Sequence, residues 1–338
     1  MEVRSVGAGG PASLSWFSGA LVAVVLGDCV AQYHTPITTY SHVVIISSLW
    51  FPLRYFTLRD DTAMTRCLVQ SLLTRAGFDW AGFDEQDMAS SHSAGQGYRA
   101  GVIQVLRKLE SPYLNDLPAR TGSVQWSWII WEWWCNEVSG SISTAVLLYI
   151  LSLFLFLSLS FCSQYSRLGA TLTHSCSLCY NGAVLQALTV HLRLQGLWNC
   201  HIIFGSQLFF PLVLTNIFLF CFASSLNEPE FPFCYRLHRV KDVMERNSVS
   251  IEEVISDLGN SIAALHSVPT AMFCVLHCLE PQDGLPNRYI GLERTIWPWG
   301  RGTDTIACMP GAIAGSRYGI YTIPKSSRGA VKGQRMLI

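Results

Sequence analysis

Charge is what this chain has little of. Only 14% of its residues are charged, where about 25% is usual for a soluble domain. Lys and Arg number 23 and so do Asp and Glu, giving a formal net charge of zero. A balanced chain has no field with which to hold a nucleic acid or an anionic membrane surface, which argues against both as direct partners. Strand signals are missing as well, because no stretch keeps a period-two alternation, and no internal repeat occurs. A disulfide framework is also absent. The 12 cysteines follow no regular spacing, and Cys176-x-x-Cys179 has no second such pair to complete a metal or redox motif. Thiols in a reducing compartment are therefore expected.

An apolar stretch from Leu14 to Leu26 follows Arg4, but Gly27-Asp28-Cys29 offers no small-x-small cleavage pattern. It reads as a buried first helix rather than a signal peptide. Two other stretches, Ser141 to Cys162 and Ile202 to Ser225, are uncharged and rich in Leu, Phe, Ser and Ile. Each has the length of a membrane-spanning helix, so a two-span membrane protein is one reading on length and composition alone, weakened in the second by Pro211 and Asn216.

The remainder has helical signals. Met64, Leu68, Leu72 and Leu73 recur at helical spacing behind Asp60 and Asp61, which sit at the favourable N-terminal end. Tyr165 to Leu194 forms a second helical region. Ser250-Ile-Glu-Glu253 has the pattern of a capping box opening an amphipathic helix through Ile255 and Leu258. A further helix is expected from Ile262 toward Leu279, kinked at Pro269. Gly311, Ala312, Ala314 and Gly315 make a small-residue face suited to close helix packing. The tail after Lys325 is basic and Gly/Ser-rich, with the composition of a disordered segment.

Two acidic clusters are the residues that can do chemistry. Asp60-Asp61-Thr62 opens one helix and Thr303-Asp304-Thr305 another. Carboxylates and Thr hydroxyls are the oxygen donors that a hard cation such as magnesium takes, and helix starts hold them rigidly. Helix capping alone also favours Asp and Thr at those positions, so both explanations stand on the residues.

The ordered set of Gly27-Asp28-Cys29, Asp60-Asp61-Thr62-Ala63-Met64, Leu172-Thr173-His174 with Tyr180-Asn181-Gly182-Ala183, Leu258-Gly259-Asn260-Ser261-Ile262, and Thr303-Asp304-Thr305-Ile306-Ala307 resembles the ADP-ribosyl-acceptor hydrolase family. Val268-Pro269-Thr270-Ala271 and Gly311 to Gly315 resemble its branch acting on ADP-ribosyl-serine and poly(ADP-ribose). The resemblance implies an all-α fold: one helical domain over residues 13–324, with insertions at about 31–56, 124–164 and 197–228, and a disordered tail over 325–338. It implies two Mg2+ ions holding the ribose hydroxyls beside the scissile bond, with Asp60, Asp61, Asp304 and Thr305 as metal ligands and His174 and Ile262 as substrate contacts. It further implies ADP-ribosylated proteins, poly(ADP-ribose) and ADP-ribose as partners, a monomer, and a place in nucleus, cytosol and mitochondrial matrix, in the setting of DNA damage.

The chain also departs from the family pattern. Arg59 stands where the family has Thr, Gly302 where it has the first Asp of Gly-Asp-Thr-Asp-Thr, and the catalytic glutamate falls near Thr35, with no acid from Ala31 to Leu58. A glycine-rich substrate loop is replaced by Val124-Gln-Trp-Ser-Trp-Ile-Ile-Trp-Glu-Trp-Trp-Cys-Asn-Glu137. Back-translated and read one nucleotide forward, that stretch can encode Phe-Asn-Gly-x-Gly-Ser-Tyr-Gly-Asn-Gly-Gly-Ala-Met-Arg, with TGG codons forcing most of the glycines. Glu137-Val138 can encode a splice-donor pattern, and Leu151 to Gln164 is what a pyrimidine-rich tract ending in CAG encodes. Resemblance resumes at Tyr165. The first apparent membrane span thus reads as a retained intron, with 202–225 and 31–56 as further candidates. Loss of the loop removes the backbone amides that would cradle a diphosphate. A catalytically dead module that keeps an ADP-ribose pocket is the third reading.

Overall fold

The computed structural model describes residues 14–32, 62, 65, 163, 166–167, 170, 177–196, 231–246, 249–261, 263–277, 303–323 and 328. These residues form helices joined by turns, as an all-α chain requires. In chain order the helices are α1 (Leu14–Gln32), α2 (Ser177–Leu194), α3 (Pro232–Met244), α4 (Ile251–Leu258), α5 (Ala264–His277) and α6 (Thr303–Tyr318), followed by a 3-10 turn, Ile320–Thr322. No helix among the described residues is long and apolar enough to cross a membrane. The stretches 141–162 and 202–225 lie outside them.

The centre of the core is α5 packed on α6. Ala264, Leu265 and every residue from Ser267 to Leu276 are buried, as are Ile306 to Ser316 of α6. A helix apolar around its whole circumference belongs in the interior. Helix α5 accordingly touches α2, α3 and α4 as well as α6, and α6 touches α1 and α2. The outer helices show the amphipathic spacing expected of a surface position. In α3, Phe233, Leu237, Val240 and Val243 turn inward, while Tyr235, His238 and Asp242 are exposed.

Each central helix carries an internal proline, Pro269 in α5 and Pro310 in α6, and each runs through it. Proline withholds one donor from the carbonyl four residues back, at a cost of about 3 kcal/mol in an isolated helix. Burial on several sides offsets that penalty here. The buried Gln186 side chain of α2 also donates to the Met309 carbonyl at 3.1 Å, tying α2 to α6 beside the proline.

Helices α1 and α6 cross through small residues. Gly19, Ala23 and Gly27 recur at intervals of four, which places them on one face of α1. A Cβ on Gly19 would lie 2.5 Å from the Gly315 carbonyl oxygen, and one on Gly27 would lie 2.5 Å from that of Ala307. The face expected over Gly311 to Gly315 thus meets its partner at Gly315, and the partner is the first helix. Residues 18–28 of α1 are buried, so the apolar N-terminal stretch is a core helix, as expected.

The capping box forms as the sequence indicates. Glu253 N–H donates to Ser250 Oγ at 3.2 Å, and Ser250 N–H donates to Glu253 Oε2 at 2.8 Å. Cys179, Cys234, Cys274 and Cys308 are thiols. Of the tail, only Arg328 is described, and its guanidinium lies 5.9 Å from the centre of the Tyr321 ring.

Candidate functional site

The C-terminal half of α1 is where separate motifs meet. Asp28 is fully buried, and its Oδ2 accepts from the backbone N–H of Thr62 at 3.1 Å and from the Thr62 hydroxyl. A side chain of α1 therefore satisfies the backbone donor of Thr62, the residue after Asp61, in the manner of a helix cap. Thr62 is 2% exposed, so the contact is shielded from competing water. A carboxylate that far from water is stabilised by such donors.

One residue earlier, Gly27 faces the Ala307–Cys308 peptide of α6, with no room for a side chain. Ala307 lies three residues after Asp304, about 4.5 Å along a helix at 1.5 Å per residue. Consecutive Cα atoms are about 3.8 Å apart, so Gly27 and Asp28 are a single step. The immediate neighbours of both acidic clusters are thus fastened to adjacent residues of α1.

The ligand candidates themselves are reached only through those neighbours. Asp304 and Thr305 occupy the first turn of α6, Thr303–Tyr318, and their side chains lie outside the described atoms. Asp60, Asp61, Thr35, His174 and Ile262 lie outside the described residues, as do the 31–56, 124–164 and 197–228 insertions, apart from Ala31 and Gln32 at the end of α1 and Ser163. Among the described residues no three potential metal ligands cluster.

The flanks of the other two motifs are described, and each is held by packing. Gly182, in Tyr180-Asn181-Gly182-Ala183, lies where a Cβ would come within 2.9 Å of the Ala264 methyl. This glycine seats α2 against the start of α5. The Arg167 guanidinium stands 4.7 Å from the centre of the Tyr180 ring, a cation–π contact that ties the segment before His174 to α2. Gly259 ends α4 with φ +85, a backbone state that side chains other than glycine adopt at a cost, and its carbonyl accepts from Thr270 Oγ1 at 2.7 Å.

Sequence reasoning identified the motifs but missed two residues that organise them. Asp28 was legible only as part of Gly27-Asp28-Cys29, with nothing in the sequence to pair it with Thr62 at a separation of 34 residues. His266 stands outside the quoted motif yet packs on its glycine, and the i+5 spacing from Ser261 was the available signal.

Within this all-helical arrangement, Asp28 bonded to Thr62 and Gly27 packed on Ala307 bring the neighbours of both acidic clusters to one end of the first helix. The ADP-ribosylglycohydrolase family model matches residues 11–337, and the chain belongs to that family. By that resemblance it is a hydrolase. It is 48% identical over 344 residues to the ADP-ribosylhydrolase ARH3 of Danio rerio, covering 95% of this chain and 87% of that protein. It is 36% identical over 357 residues to the ADP-ribosylhydrolase ARH3 of Homo sapiens, covering 96% of this chain and 91% of that one. A solved structure described as an ADP-ribosylglycohydrolase-related protein complex shares the fold, with a TM-score of 0.58, 15% identity, and coverage of 96% of this chain and 94% of that chain.

Proposed function

We propose that this chain carries the site of a magnesium-dependent hydrolase of ADP-ribosyl-serine and poly(ADP-ribose), and that as written it turns over poorly. The observation that carries the reading is the double attachment at α1, with Asp28 bonded to Thr62 and Gly27 packed on Ala307. A site needing oxygen donors from two distant helix starts requires both starts to be anchored to one rigid element, and the attachment of Thr62 and Ala307 to α1 supports that reading.

Asp60, Asp61, Asp304 and Thr305 supply the oxygen donors, a set that fits a hard divalent cation. Bound there, magnesium would orient the ribose hydroxyls and stabilise charge as the anomeric bond breaks. His174 and Ile262 would contact the ADP-ribose. The reaction also needs a carboxylate to activate water, and Thr35 has neither the charge nor the basicity for that task. Gly302 supplies no side-chain oxygen, and Arg59 brings a cation beside the place of the dication. The site therefore has enough donors to hold the ligand and too few to process it efficiently. The substrates are ADP-ribosylated proteins and poly(ADP-ribose), met by a monomer in nucleus, cytosol and mitochondrial matrix.

Missing acids at Thr35 and Gly302 specifically favour one second reading, an ADP-ribose-binding module without turnover. The two readings separate in one preparation. Calorimetry of the purified chain with ADP-ribose, with and without magnesium, is expected to show metal-dependent binding. Incubation with a serine-ADP-ribosylated peptide is expected to release ADP-ribose slowly but above the buffer rate on the first reading, and not above the buffer rate on the second. Release at a rate typical of an enzyme would overturn the ligand accounting, and absence of any binding would remove the site altogether.

A further inference from the structure

The turn from α4 into α5 is held in part by two side chains, His266 and Arg236, that none of the family motifs includes. His266, on the first turn of α5, lies with Nδ1 2.7 Å from Ser261 Oγ and Nε2 3.3 Å from Arg236 Nη2 of α3. A guanidinium has donors and no acceptor. Nε2 must therefore accept from Arg236, which leaves the ring proton of a neutral imidazole on Nδ1, where it donates to Ser261 Oγ. That hydroxyl oxygen also accepts from the Ala263 N–H at 3.3 Å. The other terminal nitrogen of Arg236 donates to the Asp257 carbonyl at 3.4 Å, in the last turn of α4. The imidazole also packs on the turn's glycine, since a Cβ on Gly259 would lie 2.6 Å from His266 Cγ.

We propose that His266, oriented by Arg236, is a positioning residue that fixes the shape of the turn over residues 259–263 and thereby sets Ile262 against the ADP-ribose. The second half of that statement rests on the function proposed above, and the first does not. Two fixed points already exist on the flanks, Thr270 Oγ1 on the Gly259 carbonyl and Ser267 Oγ on the Ala263 carbonyl. Between them Ser261 is the pivot, and His266 is the side chain that holds it. The relay from α3 makes the turn's shape depend on a helix that supplies no motif residue.

The full chain with His266→Ala, His266→Asn and His266→Gln tests this. An asparagine amide nitrogen stands near the place of Nδ1 and can donate to Ser261, whereas a glutamine amide reaches the place of Nε2. In hydrogen exchange without ligand, the Ala variant should exchange amides 260–263 about fivefold faster, the loss expected for one hydrogen bond. Amides of Met272 to Leu276 should be unchanged. The Asn variant should restore protection and the Gln variant should not. Unchanged exchange at 260–263, equal acceleration along all of α5, or protection by Gln equal to that by Asn would each overturn the relay. Calorimetry with ADP-ribose and magnesium is the second arm, with weakening of about fivefold expected for Ala and parental affinity for Asn. Parental affinity in the Ala variant would overturn the link to the ligand. A parent chain that binds no ADP-ribose would sink the proposed function while the exchange pattern still decides the relay.

Discussion

At the scale of single residues, burial decides what a polar group contributes. Asp28 has no access to water and binds Thr62 through both backbone and hydroxyl. Replacing it with Ala leaves a buried N–H and O–H without acceptors, a loss of about 2 kcal/mol. Asp28→Asn keeps one acceptor oxygen and should lose about half as much. Urea unfolding of the two variants checks the order, and an Ala variant as stable as the parent would refute the capping role. His191 shows burial acting on a proton. It lies in the last turn of α2, where the helix dipole favours a cation, but burial pushes its imidazole below its ordinary value of 6.5. Desolvation wins, so folding prefers the neutral ring. Because the folded value lies below the unfolded one, this stability is fully present above pH 6.5 and is lost as pH falls through the lowered value. Urea midpoints measured from about pH 7 down to about pH 5 should fall less steeply for His191→Gln than for the parent. The exposed Glu253 has the same sign at lower pH, its carboxylate held below 4.5 by the Ser250 N–H.

At the scale of elements, the glycines sort into two kinds. A Cβ at Gly27 would run into the Ala307–Cys308 backbone, which cannot yield without moving α6. Gly196, at the end of α2 with φ +73, has nothing within 4 Å of a Cβ. Gly27→Ala should therefore cost more than about 3 kcal/mol through forced separation of α1 and α6, whereas Gly196→Ala should cost about 1 kcal/mol, the backbone penalty alone. Thermal unfolding orders them, and equal losses would deny the tight crossing. Ser250→Ala should remove about 1 kcal/mol at the capping box. The elements differ equally in how far the sequence declares them. The capping box was legible because its four residues are contiguous and its bonds are local. Helix α3 goes unpredicted above, although Pro232 at its start and the inward spacing of Phe233, Leu237, Val240 and Val243 are ordinary helix signals. The α1–α6 crossing was half legible. Gly311 to Gly315 marked one face, but which helix it meets depends on contacts some 300 residues apart in sequence, between Gly19 and Gly315. Asp28 and Thr62 pose the same problem, since no local pattern distinguishes a capping carboxylate from a solvated one.

At the scale of the whole molecule, the described fold and the proposed chemistry can be tested apart. The core of α5 on α6, the α1 crossing and the Asp28–Thr62 bond are all present. The departures from the family pattern on which the proposed loss of turnover rests are the acid near Thr35, the acid at Gly302 and the glycine-rich loop, whose place residues 124–137 take. Restoring them should change activity. A version with Thr35→Glu, Gly302→Asp and Arg59→Thr, with residues 124–137 recoded as the glycine-rich loop and 138–164 removed, should release ADP-ribose from modified serine when magnesium is present. Each acid alone should recover little, because groups acting as a unit in one site are strongly non-additive. A correctly folded, magnesium-loaded restored chain without turnover would mean that the anchored helix starts serve the fold alone. Sequencing the transcript supplies the independent check at this scale. A message lacking the codons for Val138 to Gln164 would identify that stretch as intron.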